Sequence, residues 1–287
     1  MDNNKWTTVI EPRRKLFDMH LGEIWKYKDL IFLFVKRNFT TRYKQTVLGP
    51  LWFFVQPLIT TLLNTFVFGS LAGLGGGLGV PTFLFFMAGN LSWGFFTGSI
   101  GIGQGALAGN AGLFSKVYFP RLVSPIASLI TQFIDFMLKI LLYVIFILYY
   151  VIFEGANICP TWELALMPIV LLQMAFLGIG VGFIFSSVTI KYRDLAILIG
   201  FAMQAWMYLT PVVYSRADII NTFGEKWLTI FMINPVTPMV EMFRYATLGA
   251  GTFSWMYWGI SWIFTIVLFT IGLTLFNKTE KNFIDTI

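Results

Sequence analysis

The sequence predicts an all-α integral membrane protein with six transmembrane helices. Of its 287 residues, 57% are hydrophobic and 12% are charged, which is about half the charged fraction of a soluble domain. The apolar residues fall in runs of about 20, long enough to cross a bilayer as helices, and not in the short alternating segments of a membrane β-barrel. The formal net charge of +6 collects beside these runs. Anionic lipid headgroups are therefore the expected partner of the basic residues, and nucleic acid is not.

Residues 1–48 are predicted to form a cytosolic tail followed by an amphipathic helix. Residues 1–19 are polar. From Leu21 to Phe39, apolar side chains recur at three- and four-residue steps, at Ile24, Tyr27, Ile31 and Phe34. The apolar run within this segment is too short to span a bilayer. We therefore expect an amphipathic helix that lies in the membrane interface, with a helix packed on a soluble domain as the alternative.

Residues 36–57 carry the most specific pattern of the chain, called here the first-span motif. It combines basic residues, a Gly-Pro pair suited to a helix start, and a Trp suited to the headgroup level. Its residues are Lys36, Arg37, Arg42, Tyr43, Lys44, Leu48, Gly49, Pro50, Leu51, Trp52, Gln56 and Pro57. Together they resemble the segment that leads into the first membrane helix of ABC-type polysaccharide export permeases, a family that includes O-antigen and teichoic-acid exporters. Any first membrane helix with a basic flank is the plainer alternative.

Residues 49–287 are predicted to form a transmembrane permease domain. Gln56 and Pro57 lie inside the first span and should kink it or face protein. The second span is rich in glycine, which allows close approach of helices; these glycines are Gly94, Gly98, Gly101, Gly103 and Gly105. The six predicted spans cover about residues 51–71, 82–107, 123–153, 164–190, 196–214 and 253–276.

The third span contains two charged residues, Asp135 and Lys139. Their i to i+4 spacing places them on one helix face in the favourable order, with the acid first. Asp135 lies roughly 18 Å along the span, near the middle of a bilayer. Such residues are functional candidates by default, but mutual neutralisation that holds helices together is the favoured interpretation.

Two turns are candidates for contact with a motor protein. Residues 110–121 resemble the family's loop between the second and third spans, and the match ends in Lys116, Val117, Tyr118, Phe119, Pro120 and Arg121. The resemblance implies a short coupling helix there that docks on an ATPase; a plain connecting turn is the alternative. Tyr192, Arg193 and Asp194 resemble the loop after the fourth span. The Arg residues could instead merely follow the positive-inside bias.

Residues 215–252 are too polar to span once and too apolar for a free loop. Asn234-Pro235 and Pro238 are expected to divide them into two short amphipathic pieces. This resembles the family's pair of short external helices, which re-enter the membrane between the fifth and sixth spans and close the outer mouth. The likeness rests on Asn234, Pro235, Phe243 and Arg244. Glu241 and Arg244, spaced three apart, are expected to pair.

The distribution of positive charge predicts the orientation. With six spans, sixteen of the 20 Lys and Arg residues fall in segments on one side of the membrane. That side, which holds both termini, is therefore expected to be cytosolic. Cys159 is the sole cysteine, so no intrachain disulfide can form, and it is expected in an external loop.

Several chemistries lack their sequence signatures. No Gly-x-x-x-x-Gly-Lys-[Ser/Thr] occurs, so ATP phosphates have no usual cradle. His20 is the sole histidine, and no Gly-x-Ser-x-Gly occurs, which argues against a His-rich metal site or a familiar nucleophile. We therefore expect no enzymatic activity, cofactor or metal on this chain. The resemblance implies a separate cytosolic ABC ATPase in two copies, which would bind ATP and Mg, and a homodimer of this chain.

The resulting hypothesis is a permease that exports a lipid-linked polysaccharide across the cytoplasmic membrane of a bacterium. Aromatic side chains, 18% of the chain, offer flat faces for sugar rings, although most of them are expected to face lipid. One alternative is an ABC exporter of drugs or small lipids. Another is a membrane-embedded glycosyl or acyl transferase, for which the clustered carboxylates or interfacial His are missing. The sequence leaves open which glycan is moved, whether the host has one membrane or two, whether the ATPase binds glycan, and which aromatics line the path.

Overall fold

The computed structural model describes residues 21–44, 46–75, 78–106, 119–120, 122–192 and 194–283, and of residues 21–23, 43, 191 and 280–283 it describes the backbone alone. These residues form α-helices joined by short turns, without a β-strand among them. The helices are α1 (Leu21–Lys26), α2 (Lys28–Tyr43), α3 (Trp52–Asn64), α4 (Thr82–Gly105), α5 (Val123–Phe153), α6 (Met167–Lys191), α7 (Leu195–Tyr208), α8 (Arg216–Phe223), α9 (Glu225–Ile233), α10 (Thr237–Leu248) and α11 (Trp255–Phe283).

Within the described residues, five helical segments are long and apolar enough to cross a membrane: Gly49–Leu71, Thr82–Gly105, Val123–Phe153, Trp162–Ile190 and Trp255–Thr279. They correspond to the predicted spans one to four and six. The first combines a 3₁₀ turn (Gly49–Leu51), α3 and a π-helical stretch (Thr65–Leu71), and the fourth is α6 preceded by a 3₁₀ turn (Trp162–Leu166). The all-helical membrane class is confirmed.

The predicted fifth span differs from the observed helix. The sequence predicts a span over about residues 196–214, but α7 ends at Tyr208. Pro211 explains the early end, because its ring clashes with the carbonyl four residues back and disfavours a helical residue before it. At 1.5 Å per residue, α7 is about 21 Å long and falls short of a hydrocarbon core of roughly 30 Å. The predicted count of six spans is therefore not confirmed.

The core of the bundle is α4, which packs against α6, while α6 packs in turn against α11. Glycines allow these backbones to approach. A Cβ atom at Gly103 of α4 would lie 2.6 Å from the carbonyl oxygen of Ile179, and one at Gly180 of α6 would lie 2.6 Å from Cα of Phe269 in α11. Real side chains cannot occupy such positions, so the close crossings require glycine.

The predicted apolar face of α2 is the face that packs against the rest of the chain. Phe34 is buried, and its ring meets that of Phe119 edge-on, with centroids 5.7 Å apart, just before α5 begins. One turn later, Asn38 Nδ2 donates to Ser128 Oγ at 3.5 Å, and after another turn Arg42 reaches Asp135. Helix α2 thus runs alongside the first half of α5, in the same direction.

Residues 215–252 form three helices where the sequence predicts two pieces. Gly224, at φ +85°, separates α8 from α9. Pro238 lies in the first turn of α10, where a proline starts a helix and does not break one. Side chains of α10 are buried along almost its whole length, so this helix belongs to the core of the bundle.

Candidate functional site: a polar groove beside α5

A groove of about 880 Å³ opens among α2, α3, α4 and α5, and Met207 of α7 also borders it. Its lining is unusually polar for an apolar bundle. The polar side chains are Asn38, Thr41, Arg42, Gln56, Thr60, Asn90, Ser124, Ser128, Thr131, Gln132, Asp135 and Lys139. Polar groups inside a membrane bundle mark substrate pathways or water-filled space more often than lipid contacts.

Glycines of α4 keep the groove open. Gly94, Gly98, Gly101 and Gly105 recur on one helix face and line it, and a Cβ atom at Gly94, Gly101 or Gly105 would meet nothing within 4 Å. The sequence predicts close helix contacts for all five glycines of this span. Gly103 makes one, whereas these three border space, because the helix turn directs them away from α6.

Asp135 pairs with Arg42 of α2 and not with Lys139. The Arg42 guanidinium donates to Asp135 Oδ2, while among the described residues no ion pair within the usual 4 Å joins Asp135 to Lys139. The expected pair within α5 is corrected accordingly: the carboxylate ties α2 to α5. Asp135 is buried and Arg42 is half exposed towards the groove.

Amide side chains complete the polar surface. Asn64 Nδ2 donates to Asn90 Oδ1 at 2.9 Å, which links α3 to α4. Gln132 Nε2 donates to the carbonyl of Phe95 at 2.5 Å and to Ser99 Oγ at 3.0 Å. Gln132 Oε1 and Asp135 Oδ1 are buried without a hydrogen-bond partner among the described residues. Such unsatisfied acceptors cost free energy, which a donor from a ligand or from water would recover.

The first-span motif does not converge on one place. Arg42, Gln56 and Pro57 line the groove, where Gln56 is exposed and Pro57 is half-buried; that Gln56 and Pro57 face protein or kink the span stays a prediction. Gly49, at φ +50°, makes the turn before α3, as the Gly-Pro pair predicts. Lys36, Arg37, Lys44, Leu48, Pro50, Leu51 and Trp52 are exposed, and the side chain of Tyr43 lies outside the described part of the chain.

The two predicted coupling turns are described in part. Lys116, Tyr118, Arg121 and Arg193 lie outside the described residues. Phe119 is buried under α2 and packs on Phe34, so its ring serves contacts within the chain and is not displayed for a partner; Pro120 is half-buried. Tyr192 and Asp194 are exposed.

Arg244, predicted as part of an external gate, is a buried clamp. Its guanidinium donates to the carbonyls of Phe85 and Tyr214, at 3.3 and 3.4 Å, and to those of Pro211 and Val212. It also lies over the ring of Phe85, with Cζ 3.7 Å from the centroid. One side chain thereby joins α10 to α4 and to the turn after α7. A Cβ at Gly89 would collide with it, which explains the glycine there.

The other predicted gate residues are also structural anchors. Asn234 accepts from Trp206 Nε1 at 3.0 Å and donates to the Leu209 carbonyl at 3.1 Å, which holds α7 against the turn before α10. The carbonyl of Pro235 accepts from Ser261 at 2.6 Å. Phe243 is fully buried in the core.

The sequence did not predict the long-range partners of Glu241 and Gln173. Glu241 pairs with Arg216 at 2.8 Å, and not with Arg244 as expected. Gln173 of α6 bonds to Ser261 and Trp258 of α11. No spacing rule connects residues so far apart in the chain. Within the described part of the chain, no cluster of His, Cys, Asp and Glu could hold a metal ion.

Fold and groove together define a class: a multi-pass α-helical membrane protein with a polar groove inside its apolar bundle. The chain belongs to the ABC-2 type transporter family, whose profile matches residues 29–248. That match includes the groove, the whole first-span motif and both predicted coupling turns.

Curated relatives are similar over most of the chain. An O-antigen export system permease protein, RfbA of Klebsiella pneumoniae, is 26% identical over 258 residues, which cover 90% of this chain and 94% of that protein. RfbA of Myxococcus xanthus is 26% identical over 223 residues, 77% of this chain and 81% of that protein. The polysialic acid transport protein KpsM of Escherichia coli is 22% identical over 254 residues, 85% of this chain and 91% of that protein.

Proposed function

We propose that this chain is the transmembrane subunit of an ATP-driven transporter that exports a lipid-linked polysaccharide, O-antigen-like or teichoic-acid-like, across the cytoplasmic membrane of a bacterium. The observation that carries the proposal is the similarity along nearly the whole chain to permeases named for O-antigen and polysialic acid transport. The groove supports it, because a sugar polymer needs polar side chains inside the membrane, and such side chains line this space.

The proposal includes a partner motor and a second copy of the chain. The sequence contains no phosphate loop, so ATP would be bound, with Mg, by a separate cytosolic ATPase. Two permease chains and two ATPases would form the transporter. Both termini would be cytosolic, with α7 and the turn after it as the fifth crossing and α8–α10 as external re-entrant elements. Force would enter through the turns at residues 116–121 and 192–194.

The alternatives are weaker. A drug or small-lipid exporter would share the family, but the named relatives favour a glycan. A glycosyl or acyl transferase would need a catalytic acid or base, and the groove contains one carboxylate, which Arg42 already engages.

Reconstitution tests the proposal. The purified chain alone should hydrolyse no ATP. With its ATPase in proteoliposomes, it should move a lipid-linked glycan when ATP is present and stay inactive with a non-hydrolysable analogue. Tyr192→Ala should weaken ATPase retention or let ATP turn over without transport, because exposed aromatic anchors carry much of a contact's energy. Robust ATP turnover by the chain alone, or transport unaffected by removal of the ATPase, would refute the assignment.

A further inference from the structure

The groove carries more positive than negative charge. Arg42 and Lys139 line it with one carboxylate, Asp135, and Arg42 already engages that carboxylate. Lys139 is half-buried and lies within the electrostatic influence of Arg42. Among the described residues, Lys139 makes no ion pair or hydrogen bond. An ammonium in this setting is costly unless water or an anion meets it.

The ammonium group of Lys139 cannot reach the water at either end of α5. It lies about 24 Å from the start of α5 and about 21 Å from its end, counted at 1.5 Å per residue. A lysine stem can snorkel only along its own few carbons. Its charge therefore stays in the groove, near the middle of the helix.

Two hydrogen-bond acceptors share the helix face of Lys139. Gln132, Asp135 and Lys139 follow each other at steps of three and four residues, and all three line the groove. Gln132 Oε1 and Asp135 Oδ1 are buried and have no hydrogen-bond partner among the described residues. One face of α5 thus combines a cation, which suits an anion, with two unsatisfied acceptors just beneath the groove surface, which a hydroxyl group could satisfy once these side chains turn towards it.

We propose that this face of α5 binds the phosphate and adjoining sugar of the lipid-linked substrate. Lys139 contacts a phosphate oxygen, and Gln132 and Asp135 accept hydrogen bonds from sugar hydroxyls. The inference rests on the proposed function and assigns a place within it to the polar head of the substrate. A sugar chain without phosphate would supply hydroxyl groups but no anion to pair with Lys139. A phospholipid headgroup would supply the anion but fewer hydroxyl groups to donate to Gln132 and Asp135.

Binding of defined probes to the full chain in nanodiscs of uncharged lipid tests the inference. The probes are a fluorescent polyprenyl diphosphate hexose, the polyprenyl hexoside without phosphate, polyprenyl diphosphate without sugar, and phosphatidylglycerol. The wild-type chain should bind the diphosphate hexose most tightly. Lys139→Met should weaken that binding about tenfold or more, the scale of a lost charged hydrogen bond. Lys139→Arg should stay within about threefold.

Lys226→Met is the matched control, because Lys226 is exposed on α9, away from the groove. It should leave binding unchanged, and monodispersity and helix content should show that each variant is folded. Equal affinity of Lys139→Met and wild type would overturn the inference, as would equal affinity for the phosphate-free hexoside. Phosphatidylglycerol bound as tightly as the diphosphate hexose would indicate a general headgroup site and also reject it. If reconstituted export works but no probe binds, the inference alone fails; if export itself is absent, the proposed function fails.

Discussion

At the scale of single residues, the ion pair between Arg42 and Asp135 has the largest consequences. It joins two helices whose contact residues are far apart in the chain, and it satisfies one oxygen of a buried carboxylate. A carboxylate stripped of its partner in such a place keeps its charge at a high cost or becomes protonated. The pair therefore holds α2 on α5, and it leaves Lys139 to give the groove its net positive charge.

We expect Arg42→Met to destabilise the chain by about 1–3 kcal/mol, because it leaves Asp135 buried and unpaired, while the exposure of Arg42 keeps the loss below that of a fully buried pair. Thermal unfolding in detergent should show a melting temperature lower by several degrees. The double variant Arg42→Met with Asp135→Asn should recover much of the loss, since no unpaired charge remains. Lys36→Met, at an exposed site on the same helix, is the control and should change little. Additive losses in the double variant would argue against the pair.

At the scale of elements, the glycines of α4 and α6 have two separate roles. Gly103 and Gly182 lie where the two helices cross, with their Cα atoms close enough that a Cβ on Gly182 would sit 2.8 Å from Cα of Gly103. Gly101, two residues before Gly103, borders the groove and has free space around it. The same residue type therefore closes one side of α4 and opens the other.

Gly182→Ala should separate the crossing helices and cost about 1–3 kcal/mol, the usual range for overpacking. Gly101→Ala should be neutral or stabilise by up to about 1 kcal/mol, because alanine favours helix and meets no neighbour. Chemical or thermal unfolding of both variants in the same detergent gives the comparison. Equal stability of the two would mean that the crossing is looser than the structure has it.

Helix α2 is another case where packing decides the role of an element. Its apolar face could be found from the three- and four-residue steps of Ile24, Tyr27, Ile31 and Phe34. That this face packs on α5 and on Phe119 could not, because periodicity identifies an apolar stripe without its neighbour. The burial of Phe119 shifts the search for motor contacts to exposed side chains such as Tyr192.

At the scale of the whole molecule, the number of crossings determines on which side the chain ends. Within the described residues, five segments have the length of a span, and α7 is shorter. Our proposal adds α7 and the turn after it as the fifth crossing along the chain, which brings the total to six and puts both termini in the cytosol. Five crossings would put them on opposite sides.

Two measurements separate these topologies. Cys159, exposed between α5 and α6, should react with a membrane-impermeant maleimide in intact spheroplasts. Green fluorescent protein fused to the C-terminus, which becomes fluorescent only in the cytosol, should fluoresce, and the Cys159→Ser variant is the labelling control. A dark C-terminal fusion with Cys159 still labelled from outside would reject the crossing by α7. Labelling of Cys159 only in inside-out vesicles would reverse the orientation.

The sequence by itself determined the membrane class, the approximate limits of five long spans, and the Gly-Pro start of the first. These features depend on local composition: hydrophobic length, charge beside a span, and the backbone preferences of glycine and proline act within a few neighbouring residues. The family resemblance drawn from the first-span motif agrees with the family match.

Only the tertiary structure decided which groups meet across the chain. The i to i+4 spacing predicts an ion pair between Asp135 and Lys139. In the structure, Asp135 pairs instead with Arg42 of α2. Arg244 likewise donates hydrogen bonds to backbone carbonyls of other elements. The glycines of α4 lie partly at the crossing with α6 and partly along the groove. In each case, the burial and geometry of distant residues outweighed the local preference, because a buried charge is stabilised by whichever groups surround it in space, wherever they stand in the sequence.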